Sequence, residues 1–373
     1  MDVPNSSVDL SDFAHLHLHT QYSLLDGAIR TKDLCRTVHE RGMKSVAVTD
    51  HGNMFGTIQF YEEAKQWGIK PILGCEAYIS DGPAKARTDR KNYHIVLLAK
   101  NDEGFANLQW LVSKGYLEGF YYSPRIDRTI LRERSKGLIG LSACMSGHVS
   151  RLVLDNKMDE ARERVLEYKD IFEPGSYFLE LQPNRLPKQE ILNPILAQLA
   201  KDCGVPIVGT NDCHYVNRSE AHAHEVLMCM GQGRTLDDPK RMKHDCDEFF
   251  IKRPDEMVGY FSQYPEALEN ACRIARMCNV ELDLGRPELP DFKLPAGVDD
   301  DLPGYLRKVG HRGLSERLVE LRARGGHPDE DVYRARLDYE LDVIVQMNFP
   351  GYFLIVWDFI RHARHIGVPV GPG

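Results

Sequence analysis

The first 215 residues alternate between short apolar runs and helical patterns, and this alternation restricts the chain to few folds. The runs have the length and apolar content of buried strands, and helical segments separate most of them. The runs lie at residues 13–18, 44–51, 70–79, 93–100, 137–144, 176–182 and 206–215. Strands separated by helices favour a parallel sheet. We predict an α/β fold, and this many repeats favour a closed β/α barrel over an open, doubly wound sheet.

A change of composition after Asp283 divides the chain. Residues 284–303 are rich in proline and show little periodicity, which is typical of a linker. Two helical patterns follow, and the sequence closes on Gly-Pro-Gly. We predict a first domain at 1–283, a linker at 284–303, and a mainly helical region at 304–373 that stops inside a glycine-rich loop.

Composition limits the classes of protein to which this chain can belong. The formal net charge is −8, so any contact with nucleic acid has to be local. The one short basic run, residues 85–91, is interpreted as a solvated loop. The nine cysteines form no C-x-x-C pair, and the sequence shows neither a signal peptide nor an apolar segment of membrane-spanning length. These features predict a cytoplasmic protein with reduced thiols.

Residue types that bind metals occur where the predicted strands end. Histidines alternate over residues 15–19, so in a strand their rings would crowd one face. The candidate side chains are His17, His19, Asp26, Asp50, His51, Glu76, His94, Cys144, Asp212 and His214. Active sites of β/α barrels lie at the carboxyl ends of the strands, where the loops converge. The joint pattern therefore predicts a metal site on one rim of the barrel.

Each candidate alone also has an ordinary structural explanation. Cys144 could be a small buried hydrophobic residue, and Asp50 could close a turn or orient His51. Glu76 is harder to explain, because an unpaired carboxylate on an apolar strand costs several kcal/mol. We interpret His15 as a supporting residue, since His17 and His19 together with Asp26 already provide enough ligands for an ion.

The mixed set of imidazoles, carboxylates and one thiol suits Zn²⁺, Mn²⁺ or Fe better than Mg²⁺ or Ca²⁺. There are more candidate ligands than one tetrahedral site can use, so we expect two or three divalent ions. Such an arrangement suits the hydrolysis of phosphate esters. His222 and His224 are two residues apart on a predicted helix and are not expected to share an ion. The sequence contains no phosphate-binding P-loop, no nucleophile elbow and no dinucleotide fingerprint.

Several segments resemble a known family. Residues 15–27, 48–53, 74–78, 93–100, 141–147 and 210–215 resemble the polymerase and histidinol phosphatase (PHP) domain. Residues 56–79, 116–127, 223–238, 247–257 and 348–373 resemble, more narrowly, the N-terminal part of bacterial DNA polymerase III alpha subunits, which are C-family polymerases. The resemblance implies a distorted, TIM-like seven-stranded β/α barrel, followed by the beginning of a palm domain.

The resemblance also implies a set of metal ligands. They are His17, His19, Asp26, His51, Glu76, His94, Cys144, Asp212 and His214. We assign catalytic roles to Asp50, Asp212 and His214. Every matching position holds a residue type that binds metals, so we expect an occupied cluster. In metal-competent members this cluster is associated with 3′–5′ exonuclease activity.

The closing glycines, Gly371 and Gly373, resemble the start of the palm loop that helps to hold the incoming nucleotide. The catalytic aspartates of the palm, with their Mg²⁺, would lie beyond this chain, so the chain alone is not expected to polymerise DNA. For the intact protein the family implies primer–template DNA and dNTPs as substrates. It also implies the sliding clamp, the clamp loader and other replisome subunits as partners, without a membrane.

Two other functions stay open at this point. A free-standing phosphatase of the histidinol-phosphate type would use the same ligands, but it would not need the region after Asp283. A purely structural metal site would brace the barrel, and such sites are usually saturated by protein ligands.

Overall fold

The computed structural model describes residues 10–243, 246–285 and 289–371. The chain forms two compact units, which divide between Leu282 and Asp283. The limits of the linker and of the helical region after it stay predictions.

The first unit is built on one curled sheet of eight strands. The strands are β1 (Ser45–Val48), β2 (Lys70–Ile79), β3 (Tyr93–Ala99), β4 (Phe120–Tyr121), β5 (Ser123–Ile126), β6 (Leu138–Leu141), β7 (Tyr177–Leu181) and β8 (Ile207–Gly209). Their order is β4-β5-β2-β3-β6-β7-β8, and β1 pairs with β2. Strands β1, β6, β7 and β8 are buried along their whole length, which explains why they consist almost entirely of apolar residues.

The first predicted strand, residues 13–18, is not a regular strand, although it occupies a strand position. The only bridge within it joins Leu18 to Cys213, but backbone hydrogen bonds link it on both sides. The amides of β1 and of the residue after it donate to the carbonyls of His15 and Leu18 at 2.8 and 2.9 Å. On the other side, the amide of His19 donates to the carbonyl of Cys213 at 2.8 Å. The segment therefore closes the ring of hydrogen bonds that runs from β1 to β8, and the predicted α/β barrel is confirmed.

The prediction of a parallel sheet was wrong for part of the sheet. Strand β3 runs antiparallel to both β2 and β6, and β4 runs antiparallel to β5. The remaining pairs are parallel. Residues 80–92 between β2 and β3 contain no helix, and without a crossover helix the chain reverses direction.

Ten α-helices lie among the described residues of the first unit, where they cover the sheet or follow it. They are α1 (Thr31–Glu40), α2 (Thr57–Gln66), α3 (Asp102–Leu117), α4 (Arg128–Glu133), α5 (His148–Leu154), α6 (Met158–Ile171), α7 (Pro187–Cys203), α8 (Ala221–Gln232), α9 (Pro254–Tyr260) and α10 (Pro265–Met277). Local sequence sets several of their ends. The Asn101 and Asp127 side chains cap the first turns of α3 and α4, and Gly204 ends α7 with φ +60°.

The described residues of the second unit form three helices, α11 (Leu302–Ala323), α12 (Glu330–Gln346) and α13 (Pro350–His365). Its small core consists of Leu306, Val309, Leu341 and Leu354. Among the residues that the structure describes, no single helix has the length and apolar content of a membrane span. Helices α12 and α13 pass that test only as a pair, and they are bent by 118° where they meet.

Candidate metal centre

The barrel brings seven of the nine predicted metal ligands together at one end. They form three overlapping groups, whose nitrogen and oxygen atoms lie within 4.8 Å of one another in each group. The groups are His17 with His19 and Asp212, His19 with His51 and His214, and His51 with Glu76 and His94. These side chains come from the N-terminal segment, from β2 and β3, and from the ends of β1 and β8.

Glu76 stands at the middle of the cluster and is only 1% exposed. Its Oε1 lies 3.2 Å from Nε2 of His17 and 3.0 Å from Nδ1 of His94. Its Oε2 lies 2.6 Å from Nδ1 of His51 and 3.7 Å from Nε2 of His19. One carboxylate therefore faces four imidazoles, and Glu76 and these histidines would together hold divalent ions.

Asp212 faces the same space from the other side of the barrel. Its Oδ1 lies 3.3 Å from Nε2 of His17, 3.2 Å from Nε2 of His19 and 3.6 Å from Nδ1 of His214. Asp212 adopts φ +51°, a left-handed conformation that is uncommon for residues other than glycine. Strained residues of this kind cluster at functional sites, where the surrounding structure holds them in place.

Asp26 joins the cluster from the loop after the histidine segment. Its Oδ2 lies 3.3 Å from Nε2 of His51. His224, which the sequence analysis set aside as a ligand, donates from Nε2 to the carbonyl of Asp26 at 2.8 Å. His224 thus helps to hold the loop, whereas the side chain of His222 is 76% exposed.

The cluster fits divalent cations because its inward-facing atoms are buried, face one another and make no hydrogen bond to any group outside the cluster. These atoms are His17 Nε2, His19 Nε2, Asp26 Oδ1, His51 Nδ1, Glu76 Oε1, Glu76 Oε2, His94 Nδ1 and Asp212 Oδ1. Buried polar atoms normally have hydrogen-bond partners, so a cluster whose atoms face only one another is costly without a bound cation. Imidazole and carboxylate lone pairs that converge on one space are the donor set that divalent metals use.

The electrostatics of the cluster favour the deprotonated carboxylates that metals need. Burial opposes the ionisation of Glu76, but His94, His17 and His51 outweigh it and hold the pKa of this carboxyl well below its usual value. His17 likewise lowers the pKa of Asp212 against the effect of burial. Both carboxylates are therefore ionised at neutral pH and can bind cations.

Glu180 orients His17 and was missed by the sequence analysis. Its Oε1 accepts from Nδ1 of His17 at 2.6 Å, and also from Thr210 Oγ1 and from Gln182 Nε2. A proton held on Nδ1 leaves the Nε2 lone pair of His17 pointing at the cluster. Glu180 stands on an apolar strand as Glu76 does, so the same signal could have identified it.

Asp50 is not among the residues that meet in the three groups. Its Oδ1 accepts from the Thr20 amide at 2.7 Å and from Ser23 Oγ at 2.8 Å, and its Oδ2 accepts from Thr20 Oγ1 at 2.8 Å. Ser23 Oγ in turn lies 3.0 Å from Nδ1 of His19. Asp50 thus acts on the cluster through Ser23, so a direct catalytic role for Asp50 stays a prediction without geometric support.

Cys144 and His15 lie outside the three groups. Cys144 follows β6, and burial, Glu76 and Asp212 raise the pKa of its thiol well above the usual value. The amide of Ser146 lies 3.4 Å from its Sγ. His15 donates from Nε2 to the carbonyl of Lys252 at 2.7 Å, as expected for a supporting residue. The assignment of Cys144 as a ligand stays a prediction.

An open cleft of about 430 Å³ leads to the cluster. Asp26, His51 and His94 line it together with Tyr78. Burial and the neighbouring Glu76 raise the pKa of the Tyr78 hydroxyl, so this group keeps its proton. A centre with such an access route has room for water and substrate beside the protein ligands.

The prediction that Gly371 and Gly373 bind a nucleotide is not tested by the described residues. Gly371 lies in the second unit and is exposed, with open space where a Cβ would stand. Gly373 lies outside the described residues.

Comparison with known proteins identifies two family models along the chain. The PHP domain model matches residues 15–184, and the model of the bacterial DNA polymerase III alpha NTPase domain matches residues 304–373. Among solved structures, an amidohydrolase from Chromobacterium violaceum covers 54% of this chain and 87% of its own, with 15% identity and a TM-score of 0.33. A PHP-like two-domain protein from Bacteroides vulgatus covers 54% of this chain and 52% of its own, with 15% identity and a TM-score of 0.34. Sequence identities and TM-scores this low give no information about a shared activity.

Curated relatives match almost the whole chain. The DNA polymerase III subunit alpha of Helicobacter pylori (strain ATCC 700392 / 26695) is 45% identical over 97% of this chain and 31% of its own length. The corresponding subunits of Treponema pallidum and Thermus aquaticus are 42% and 40% identical, over 97% of this chain and 30% and 34% of their own length. The chain thus spans about a third of the length of these relatives. With a PHP domain followed by a polymerase III segment, the chain belongs to the family of bacterial DNA polymerase III alpha subunits.

Proposed function

We propose that the barrel is a metal-dependent phosphoesterase that removes nucleotides from the 3′ end of DNA. The observation that carries this proposal is the set of buried histidine and carboxylate atoms that face one another at the inner end of an open cleft. The family supports DNA as the substrate, because its named relatives are DNA polymerase subunits.

The donor set supports two or three divalent ions, and mixed nitrogen and oxygen ligands favour Zn²⁺, Mn²⁺ or Fe. His17, His19, Asp212 and His214 would hold one side of the cluster, and Asp26, His51, Glu76 and His94 the other. When bound, the ions would lower the pKa of a water and neutralise charge on the phosphate.

Different residues of the cleft and the cluster would bind the phosphate and hold the protons. Asp26, His51 and His94 line the cleft, so the scissile phosphate would be presented at their end of the cluster. Tyr78 keeps its proton and can donate a hydrogen bond to a phosphate oxygen. His214 Nδ1 lies 2.8 Å from the carbonyl of Asp212, to which it can donate, so Nε2 carries the lone pair that binds a metal or a proton. We assign Asp212 and His214 a catalytic role through the ions that they would hold on the other side of the cluster, and we assign Asp50 to positioning.

We further propose that the chain is part of a replicative DNA polymerase that works in the bacterial cytoplasm. The names of its relatives support this proposal, although the chain spans only about a third of their length. In the whole protein, residues 304–373 would begin the palm, with Mg²⁺ at the polymerase site. Primer–template DNA, dNTPs, the sliding clamp and the clamp loader would be its substrates and partners.

An exonuclease assay tests the proposal on the barrel. The purified chain, reconstituted with Mn²⁺ or Zn²⁺, is incubated with a 3′-labelled primer–template beside Asp212→Asn and His17→Ala. We expect the parent chain to release the label and both variants to lose release. The exposed His222→Ala serves as the matched control and should retain full activity.

Metal content, measured on the same samples, separates the other functions. Bound metal without release from DNA or from a small phosphomonoester would indicate a structural site and overturn the proposal. Release of phosphate from a small monoester, but not of nucleotides from DNA, would instead indicate a phosphatase of the histidinol-phosphate type.

A further inference from the structure

The cleft that leads to the metal centre has an apolar rim that is open to solvent. The rim residues, with their exposed fractions, are Leu24 (68%), Leu25 (65%), Phe55 (58%), Tyr116 (37%) and Tyr122 (61%). All of them line the cleft that also exposes Asp26, His51 and His94. Contiguous exposed apolar side chains beside a polar site mark a binding surface.

The aromatic members of the rim are held in place although they are exposed. Tyr122 adopts φ +64°, which is a genuine outlier for a bulky residue and costs about 1 kcal/mol or more. Phe55 and Tyr116 support each other, with ring centroids 6.0 Å apart. Strained backbone positions of this kind cluster at ligand-binding sites, and at Tyr122 the strain presents an aromatic ring to solvent.

A basic group stands over the same rim. The exposed Arg90, from the basic run at 85–91, places its guanidinium 3.8 Å from the centre of the Tyr122 ring. The loop that carries it is fixed by Arg125, which is 2% exposed. The Arg125 guanidinium donates to the main-chain carbonyls of residues 84, 86 and 89 at 3.0, 2.7 and 2.8 Å. In a chain with a net charge of −8, this is a local cation placed at the mouth of the cleft.

We propose that the rim and Arg90 bind the unpaired 3′ end of a DNA strand, with its last bases stacked on Phe55 and Tyr122 and a backbone phosphate paired with Arg90. The proposal rests on the proposed exonuclease function and makes the unpaired 3′ end its preferred substrate, which a primer–template offers only when its terminus frays. Aromatic platforms beside a cation are typical of single-strand binding, because the faces of the bases are accessible only when they are unpaired. A small phosphate monoester would gain nothing from such a rim.

The test compares Phe55→Ala, Tyr122→Ala and Arg90→Ala with the parent chain. Tyr339→Ala is the matched control, since Tyr339 is also exposed (60%) and also lies under an arginine. With a 3′-labelled single strand as the substrate, we expect KM to rise about tenfold in Phe55→Ala and in Tyr122→Ala, with little change in kcat. Hydrolysis of bis(p-nitrophenyl) phosphate, which has no base to stack, should stay unchanged. Arg90→Ala should also flatten the salt dependence of binding.

Binding of a fluorescent ten-nucleotide single strand, measured by anisotropy with the metals removed, gives a readout that does not need activity. Equal affinity of the parent chain and the aromatic variants would overturn the inference and assign the rim to contacts with protein. An active exonuclease that cuts paired and unpaired 3′ ends equally well would also overturn it, while leaving the proposed function intact. If the parent chain binds the single strand but, with metal added, hydrolyses neither DNA nor bis(p-nitrophenyl) phosphate, the proposed function is overturned instead.

Discussion

Glu180→Gln tests whether a carboxylate outside the metal ligands controls metal affinity. The side chains of Glu180 and His17 are both fully buried, and Oε1 lies 2.6 Å from Nδ1. The amide of glutamine has nearly the same shape and can still accept from Nδ1, so the variant removes charge but little packing. It thereby isolates the electrostatic contribution of Glu180 to the basicity of His17.

The expected loss follows from the position of Glu180 behind a ligand. Removing such a partner lowers metal affinity by about 10- to 100-fold, which corresponds to about 1.4 to 2.7 kcal/mol of the stabilisation that saturating metal provides. The metal-free chain should be little changed, because burying one charge fewer offsets the weaker bond to His17.

Two measurements check this expectation. Competition with a chromophoric chelator gives the affinity, and urea unfolding with and without metal gives the two stabilities. The exposed Glu160→Gln serves as the control and should change neither quantity. Unchanged affinity in Glu180→Gln, or equal destabilisation with and without metal, would refute the reasoning.

Three further predictions concern stability. Treatment with a chelator should lower the unfolding temperature, and added Mn²⁺ or Zn²⁺ should restore it, as calorimetry can show, because the metals bind only the folded chain. Lys252→Met should cost about 1–3 kcal/mol in urea unfolding, because the fully buried Nζ is bound to Asn211 Oδ1 at 2.8 Å and this acceptor would be left unpaired. Burial and Arg164 lower the pKa of His148 from 6.5 to about 3, so the unfolded chain takes up this proton first and stability is lost as the pH falls below 6.5. The slope from this group, about 1.4 kcal/mol per pH unit, should be absent in His148→Gln when unfolding is followed between pH 6.5 and 4.5.

The sequence predicted the strands better than their directions. The runs that became β1, β2, β3, β6, β7 and β8 are apolar because both faces of each strand are buried. The reversal at β3 had a visible signal, since residues 80–92 carry no helical pattern, but periodicity within a strand says nothing about its direction. Residues 13–18 have the sequence of a strand because they lie where a strand of the barrel would lie. They form only some of the backbone hydrogen bonds of a regular strand.

The predicted ligands converge because barrel loops meet at one rim, and the sequence shows which residues end each strand. Distances within that rim are a property of the closed fold, so the separate position of Asp50 could not be read from "VTDHGN". Glu180 could have been found, because a carboxylate on an apolar strand needs a buried partner. The aromatic rim had no sequence signal, since Phe55 and Tyr122 lie far apart in the chain and in loops.

The N-terminal segment closes the barrel against Cys213 and also supplies His17 and His19. On the ribosome, this segment can meet β1 soon after synthesis, but its second neighbour emerges only at the end of the barrel. Such long-range pairing is slow, because a large loop has to be ordered before any contact is gained. Closure of the barrel and completion of the metal centre should therefore be a single late event, and a nascent chain cut short before residue 213 would present an open strand edge and only part of its ligands.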